Sequence, residues 1–395
     1  MGPVFETPVA GPATHAIVIG VGAYLHLPGG QAFAQRLGVP WTVYPDHEGM
    51  GQLSSPPRSA RAFARWLLAE YRNPERPLAS LHLLLSEPEA GTITLGSGEV
   101  KPVERASFDN VKAAVKDWKS RGDQSAEHLL IFYFCGHGVN RGFITTLLLD
   151  DFGEDPGEPL EQAINLNGFH AGMDQCLARR QCFFIDACRV PSAALIERFE
   201  DYAGPAIIHG SAYLSEVPRY APVFYSTVAG SAAYSREGEA SLFTQALLRS
   251  LAGAGSKPDD EDNWLVYTGG TLHESIQFLL KRATEAVAGP SQVSSADHVE
   301  GEGFPLHYLP GRPIVPILVA VKPAEATGSA ELSYALPDGS DPVVRPPGAA
   351  SEWDVEIPEG RYRFKARFAG GPYHEIEEER TVFPPGRKVS LEVAE

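Results

Sequence analysis

Two short stretches of this 395-residue chain carry side chains suited to covalent chemistry. In Phe132-Tyr-Phe-Cys-Gly-His137-Gly138 an apolar run ends in a histidine between glycines, and in Phe184-Ile-Asp186-Ala-Cys188-Arg189 another ends in a cysteine two residues after an acid. A thiol at neutral pH is only a few per cent ionised, so a cysteine that attacks a carbonyl needs a base or a positive field beside it. His137 is the candidate base and Cys188 the candidate nucleophile. The glycines let the chain turn sharply and leave the Gly138 N–H bare. With the Cys188 N–H it would form an oxyanion hole for the tetrahedral intermediate of acyl transfer. His137, protonated once the thiolate forms, would then give its proton to the leaving amine.

The remaining cysteines, 135, 176 and 182, read as packing residues, and none of the four forms a C-x-x-C pair, so neither a metal nor any other cofactor is expected. Gly20-Val-Gly22 lacks the third glycine of a dinucleotide fingerprint. Asp186 has two readings, a specificity acid or a brace that accepts hydrogen bonds at the strand end.

The elements that must position these groups alternate. Short apolar runs, suited to strands buried on both faces of a parallel sheet, begin at His15, Leu81, Leu129, Cys182 and Ala206. Between them, helical spacing covers residues 60–71, 108–119 and 169–177, with Ser59 and Ser107 placed as N-caps. Amphipathic helices at 241–251 and 271–287 would cover the sheet. This is an α/β body, a mostly parallel sheet flanked by helices, whose strand C-termini collect reacting groups on one rim. From about Ile314 the pattern shifts to short alternating segments separated by Pro-rich turns, which predicts a C-terminal all-β sandwich. The expected division is an N-terminal extension over 1–13, the α/β domain over 14–310 and an immunoglobulin-like accessory domain over 314–395.

Lys and Arg number 33 against 50 Asp and Glu, a net charge of −17, which repels nucleic acid and anionic membrane alike. The first 35 residues hold no Lys or Arg, and no uncharged apolar run approaches the ~20 residues of a membrane span. Few cysteines fit a reducing compartment, so the expected location is cytoplasmic, with no nucleic-acid or membrane partner.

The two strand ends resemble those of caspase-like cysteine peptidases of family C14, including bacterial relatives and metacaspases. The caspase signature is Gln-Ala-Cys followed by Arg, Gln or Gly, with the histidine about 50 residues upstream. Here Asp186-Ala-Cys188-Arg189 places its cysteine 51 positions after His137. Phe224-Tyr-Ser-Thr-Val-Ala-Gly230 followed by Ser241-Leu-Phe-Thr-Gln-Ala-Leu247 is similar to the strand that flanks the caspase substrate groove and the helix after it. The resemblance spans residues ~14 to ~309.

It implies a cysteine endopeptidase acting on a protein or peptide substrate, with Tyr225, Ser226 and Tyr234 along the groove. Asp186 stands where caspases carry glutamine and metacaspases an acid, so a carboxylate at the floor of the first specificity pocket would favour cleavage after Arg or Lys. Caspases grip substrate aspartate with an arginine that aligns with Ser235 here, Arg236 following one position late; Arg58 keeps an acidic substrate open. The resemblance further implies control by an activating protease or bound partner and a place in bacterial defence or cell suicide. Arg-containing segments at 178–180, 217–219 and 235–237 are the expected self-cleavage sites. A catalytically silent scaffold whose β-sandwich recruits a partner is the alternative.

Overall fold

The structure is a computed structural model that describes residues 2–33, 50–89, 91–155, 158–189, 203–210, 217–228, 231, 238–259, 263–285, 292–349 and 352–394. Its centre is a seven-stranded sheet built from β1 (Phe5–Glu6), β2 (Thr14–Val21), β3 (Leu78–Ser86), β4 (Leu129–Gly136), β5 (Arg180–Ala187), β6 (Val223–Tyr225) and β7 (Ser295–Asp297), ordered β1-β3-β2-β4-β5-β6-β7. The five inner strands are parallel and the edge strands β1 and β7 antiparallel. Phe5–Glu6, assigned from sequence to an extension, therefore completes one edge of the sheet.

Every residue of β2 and β4 is buried, as apolar runs without a polar face require once both sides of the sheet are covered. Helices α1 (Ser55–Ala69), α4 (Leu242–Arg249) and α5 (Gly270–Glu285) pack on one face, and α2 (Phe108–Gly122) and α3 (Leu166–Gly172) on the other. Phe63 of α1 stacks on Tyr133 of β4, with ring centroids 4.7 Å apart, and meets Phe184 of β5 edge-on at 5.6 Å. Burying such a ring stabilises by about 1.5–3 kcal/mol, and offset or edge-on ring geometry adds to it. On the opposite face Trp118 is fully buried and its indole N–H donates to the His15 carbonyl at 3.0 Å.

Several local expectations are corrected by packing. The helix over α1 begins at Ser55, with Pro56 and Pro57 in its first turn, where a fixed φ is already helical. Ser59 is thus inside the helix, and its hydroxyl accepts the Ser241 N–H at 2.9 Å. Ser107 is the N-cap residue of α2, but the Phe108 N–H goes to the Asp151 carboxylate, at 2.9 and 3.1 Å to its two oxygens. The neighbouring Asp150 is fully buried and accepts from Ser86 Oγ and Arg105 Nε, whereas Glu154, Asp155 and Glu158 are exposed. The run at Ala206 forms no strand; Ile207 has φ of 55°, which no strand accommodates. Gly20 and Gly22 let α1 pack closely, since a Cβ at 20 would lie 2.7 Å from the Ala60 Cβ and one at 22 would lie 2.7 Å from the Pro57 Cδ.

C-terminal to this body, a three-stranded and a four-stranded sheet enclose a separate core drawn from residues between Val315 and Val393. Two strands there do not stand out by alternation: Ile376–Val382 is mostly polar, and Val343–Arg345 is only three residues long. The two bodies meet at α4, where Arg249 Nε donates to Glu356 at 2.8 Å. Among the described residues, no helix is long and apolar enough to cross a membrane.

Candidate active site

Pairing of β4 with β5 decides what the two strand ends share. The register sets Asp186 opposite Cys135 and Ala187 opposite Gly136, and the next residue on each strand is Cys188 and His137. The two ends touch directly: a Cβ added to Gly138 would lie 2.6 Å from the Cys188 carbonyl oxygen and 3.0 Å from the Ala187 Cβ. Both ends lie at the carboxyl edge of the parallel sheet, where side chains leave the ladder for the crevice outside it.

His137 is held at two points. Its backbone N–H donates to the Tyr24 hydroxyl at 2.6 Å, and its Nε2 lies 2.8 Å from the Gly51 carbonyl oxygen. A carbonyl can only accept, so Nε2 carries the proton and Nδ1 holds the free lone pair. Burial pushes the imidazole below its ordinary range, and the bond to Gly51 partly offsets this. The ring is therefore neutral near pH 7, the form a general base requires.

The four cysteines divide by environment. Cys135, Cys176 and Cys182 are buried, whereas Cys188 is only partly so. Burial pushes the thiols of Cys135 and Cys182 well up and that of Cys176 to about 12, so none of these supplies a thiolate; the Asp186 charge raises Cys135 further.

The backbone donors follow from the hairpin after His137. The Leu148 N–H donates to the His137 carbonyl at 3.0 Å, which makes Gly138 opposite Leu147 the next, non-hydrogen-bonded position. The ladder itself leaves the Gly138 N–H unused. Arg189, directly after Cys188, is buried; its N–H donates to the Ser231 carbonyl at 3.0 Å, and its guanidinium lies 4.1 Å over the Tyr225 ring and donates to Ser295 Oγ at 3.2 Å. The chain on the far side of the cysteine is thereby fixed to the sheet edge.

Asp186 faces α4. It is 3% exposed, and its Oδ2 accepts from the hydroxyls of Ser241 and Thr244, the latter at 2.7 Å. Tyr133 Oη joins the same cluster 2.6 Å from Thr244 Oγ1. Burial raises the carboxyl above the usual range, and the hydroxyl donors oppose that rise. The groove residues named from sequence are distributed over both faces. Tyr225 pairs with Ile185 and so points to the face opposite Asp186, where it is buried beneath Arg189. Ser226 is buried and donates its hydroxyl to the Ala187 carbonyl at 3.0 Å. Tyr234, Ser235 and Arg236 lie outside the described residues.

Tyr24 is fully buried under the histidine, its ring centroid 4.8 Å from the imidazole. Gly51 escaped sequence reasoning because its contribution is a carbonyl group, which no residue type announces. Arg58 is exposed, has no partner among the described residues, and lines a cavity of about 870 Å³ on the same rim with Tyr24, Gln52, Arg61, Glu87 and Arg105. Two expected self-cleavage segments have their arginines tied into the fold: Arg179 donates to the backbone carbonyls of Asp174 and Val217, and Arg219 to the His170 backbone carbonyl and the Gln181 side-chain Oε1. The Arg179 and Arg219 side chains would have to leave these bonds before entering an active site.

The caspase domain of peptidase family C14 matches residues 44–300. An uncharacterised protein, y4kE, of Sinorhizobium fredii is 30% identical over 257 residues, which is 64% of this chain and 72% of that protein. Among solved structures, caspase-1 of Spodoptera frugiperda aligns with 13% identity and a TM-score of 0.39 over 75% of this chain and 93% of its own. The pro-form of that caspase gives 13% and 0.37 over 72% and 91%. The match over residues 44–300, more than half of the chain, makes it a member of the caspase-domain family of C14 peptidases.

Proposed function

We propose that the protein is a cysteine endopeptidase in which His137 Nδ1 takes the proton of Cys188 and the thiolate attacks a peptide carbonyl. The register of β4 and β5 carries this reading, because it sets histidine and cysteine side by side at the open end of the sheet with Gly138 against the Cys188 carbonyl. In the sequence of steps, the Cys188 sulfur bonds to the carbonyl carbon and the oxygen gains the charge. The N–H groups of Gly138 and Cys188 receive that charge. The carbon–nitrogen bond then breaks as His137 gives its proton to the amine, leaving a thioester that water hydrolyses with the histidine again as base.

Asp186 supports a preference for Arg or Lys before the cut bond, since its carboxylate lies two residues before Cys188 and so on the same side of the strand. Arg58 supports the acidic alternative, because it is a cation on the same rim with no partner among the described residues. The family likeness adds the proposal that the enzyme waits for a trigger.

The test is a peptide-library cleavage profile of wild type beside Cys188→Ala, together with labelling by an active-site alkylator. The reading expects Cys188-dependent turnover with basic residues enriched at the cleaved position. Enrichment of Asp or Glu would transfer specificity to Arg58. Turnover that survives Cys188→Ala, or a Cys188 that no alkylator labels, would overturn the peptidase in favour of a silent scaffold.

A further inference from the structure

The contacts around His137 close into a ring. Its backbone N–H goes to the Tyr24 hydroxyl and its imidazole Nε2–H to the Gly51 carbonyl. The two loops that supply these acceptors are joined by the next residue, Gln52: its Oε1 accepts the Tyr24 N–H at 2.8 Å, and its Nε2 donates to the carbonyls of Tyr24 and Pro28 at 3.0 Å each. A single carboxamide thus ties the segment that holds the histidine backbone to the segment that holds its ring.

Room for the hydroxyl is built in. A Cβ on Gly136 would lie 2.9 Å from the Tyr24 Oη, so the first glycine of Gly-His-Gly admits this contact. Gly30 brings the loop back over the tyrosine, since a Cβ there would lie 2.1 Å from the Tyr24 carbonyl oxygen. The phenol is buried, which holds its ionisation well above the ordinary range, and a thiolate at Cys188 raises it further, so the hydroxyl stays neutral within the electrostatic reach of both dyad members.

We propose that Tyr24 and Gln52 are positioning residues for His137, fixing the backbone and the ring tautomer of the base through one closed set of hydrogen bonds. The proposal rests on the dyad reading above. A ring that merely filled space would need neither the hydroxyl nor the carboxamide; a positioning device needs both.

Tyr24→Phe removes the acceptor and keeps the ring, and Gln52→Glu keeps the acceptor for the Tyr24 N–H while losing both donated bonds. Expected in Tyr24→Phe is a roughly 3- to 10-fold fall in kcat at unchanged KM on the library-derived peptide, the size of one lost neutral hydrogen bond, and in Gln52→Glu, which loses two, a fall at least as large. The pH at which the acid limb of kcat/KM turns should shift in the same variants, both remaining folded at the assay temperature. Hydrogen exchange at the His137 amide provides a second readout that needs no turnover, and it should quicken several-fold in Tyr24→Phe. Wild-type kcat, pH limb and His137 exchange in both variants would overturn the proposal. Absence of Cys188-dependent turnover in wild type would instead defeat the dyad reading, and the exchange measurement would still decide whether the hydroxyl holds the backbone.

Discussion

Gly138→Ala probes the contact on which the site depends. The added Cβ lies 2.6 Å from the Cys188 carbonyl oxygen and 3.0 Å from the Ala187 Cβ, against about 3.4 Å for ordinary contact, so the two strand ends must part by roughly 0.8 Å. Neither neighbour is the tip of a flexible side chain, and overpacking against such atoms costs about 1–3 kcal/mol. A displacement near 1 Å between reacting groups costs on the order of 10²-fold in rate. We therefore expect kcat/KM to fall by roughly 10²-fold and alkylation of Cys188 to slow, in a protein that still folds. Gly96→Ala is the control, because a Cβ there meets nothing within 4 Å. The assay is turnover of a fluorogenic peptide alongside the second-order alkylation rate and a thermal melt. A folded Gly138→Ala protein within about threefold of wild type in both rates would refute the claim that these strand ends are in contact, since the geometric penalty could not then be absorbed.

Asp186 separates specificity from bracing by two substitutions. Asp186→Ala leaves the hydroxyls of Ser241 and Thr244 without their acceptor in a buried site and should cost about 1–3 kcal/mol by denaturant titration. Asp186→Asn should keep most of that stability while abolishing any preference for Arg or Lys in the cleavage profile; an unchanged profile would reduce the acid to a brace. Burial lowers the imidazoles of His15 and His307 to about 4 and that of His170 to about 3. These rings are neutral in the fold, so their contribution is complete above pH 6.5 and is lost as pH falls through 6.5 towards 4 and 3, by at most about 3–5 kcal/mol each. Asp151 works in the opposite direction: burial raises its carboxyl to about 7, so protonation between pH 7 and 3.8 favours the fold. Melting temperature should fall between pH 6.5 and 4 and fall more steeply in Asp151→Asn; identical slopes would contradict the assignment. Trp118→Ala removes a fully buried indole and its bond to the His15 carbonyl, and should cost about 3–5 kcal/mol in an equilibrium unfolding experiment, a loss under about 1 kcal/mol being the contrary result.

Sequence by itself determined the elements whose pattern is dense. The strand cores at Leu129 and Cys182 announce themselves because a strand buried on both faces must be apolar at every position. The Gly-His-Gly and Asp-Ala-Cys ends are visible for a related reason, since polar chemistry placed directly after such a run has few structural uses. Helices α2 and α5 were legible from spacing, whereas the start of α1 was not, because Pro56 and Pro57 read as a loop until the first turn of a helix is seen to accommodate them. Two strands of the C-terminal body offered no alternation to read, one being mostly polar and the other only three residues long.

Only tertiary structure decided how the groups meet. The register that brings His137 beside Cys188 depends on hydrogen bonds between strands some fifty residues apart, which no local pattern specifies. It also decided which face each neighbour takes: Asp186 turns towards Ser241 and Thr244, while Tyr225, one strand away, turns to the other side of the sheet. The partners of the base, the Tyr24 hydroxyl and the Gly51 carbonyl, come from loops over a hundred and over eighty residues upstream. A carbonyl belongs to every residue alike, so its role becomes visible only once the chain has folded around it.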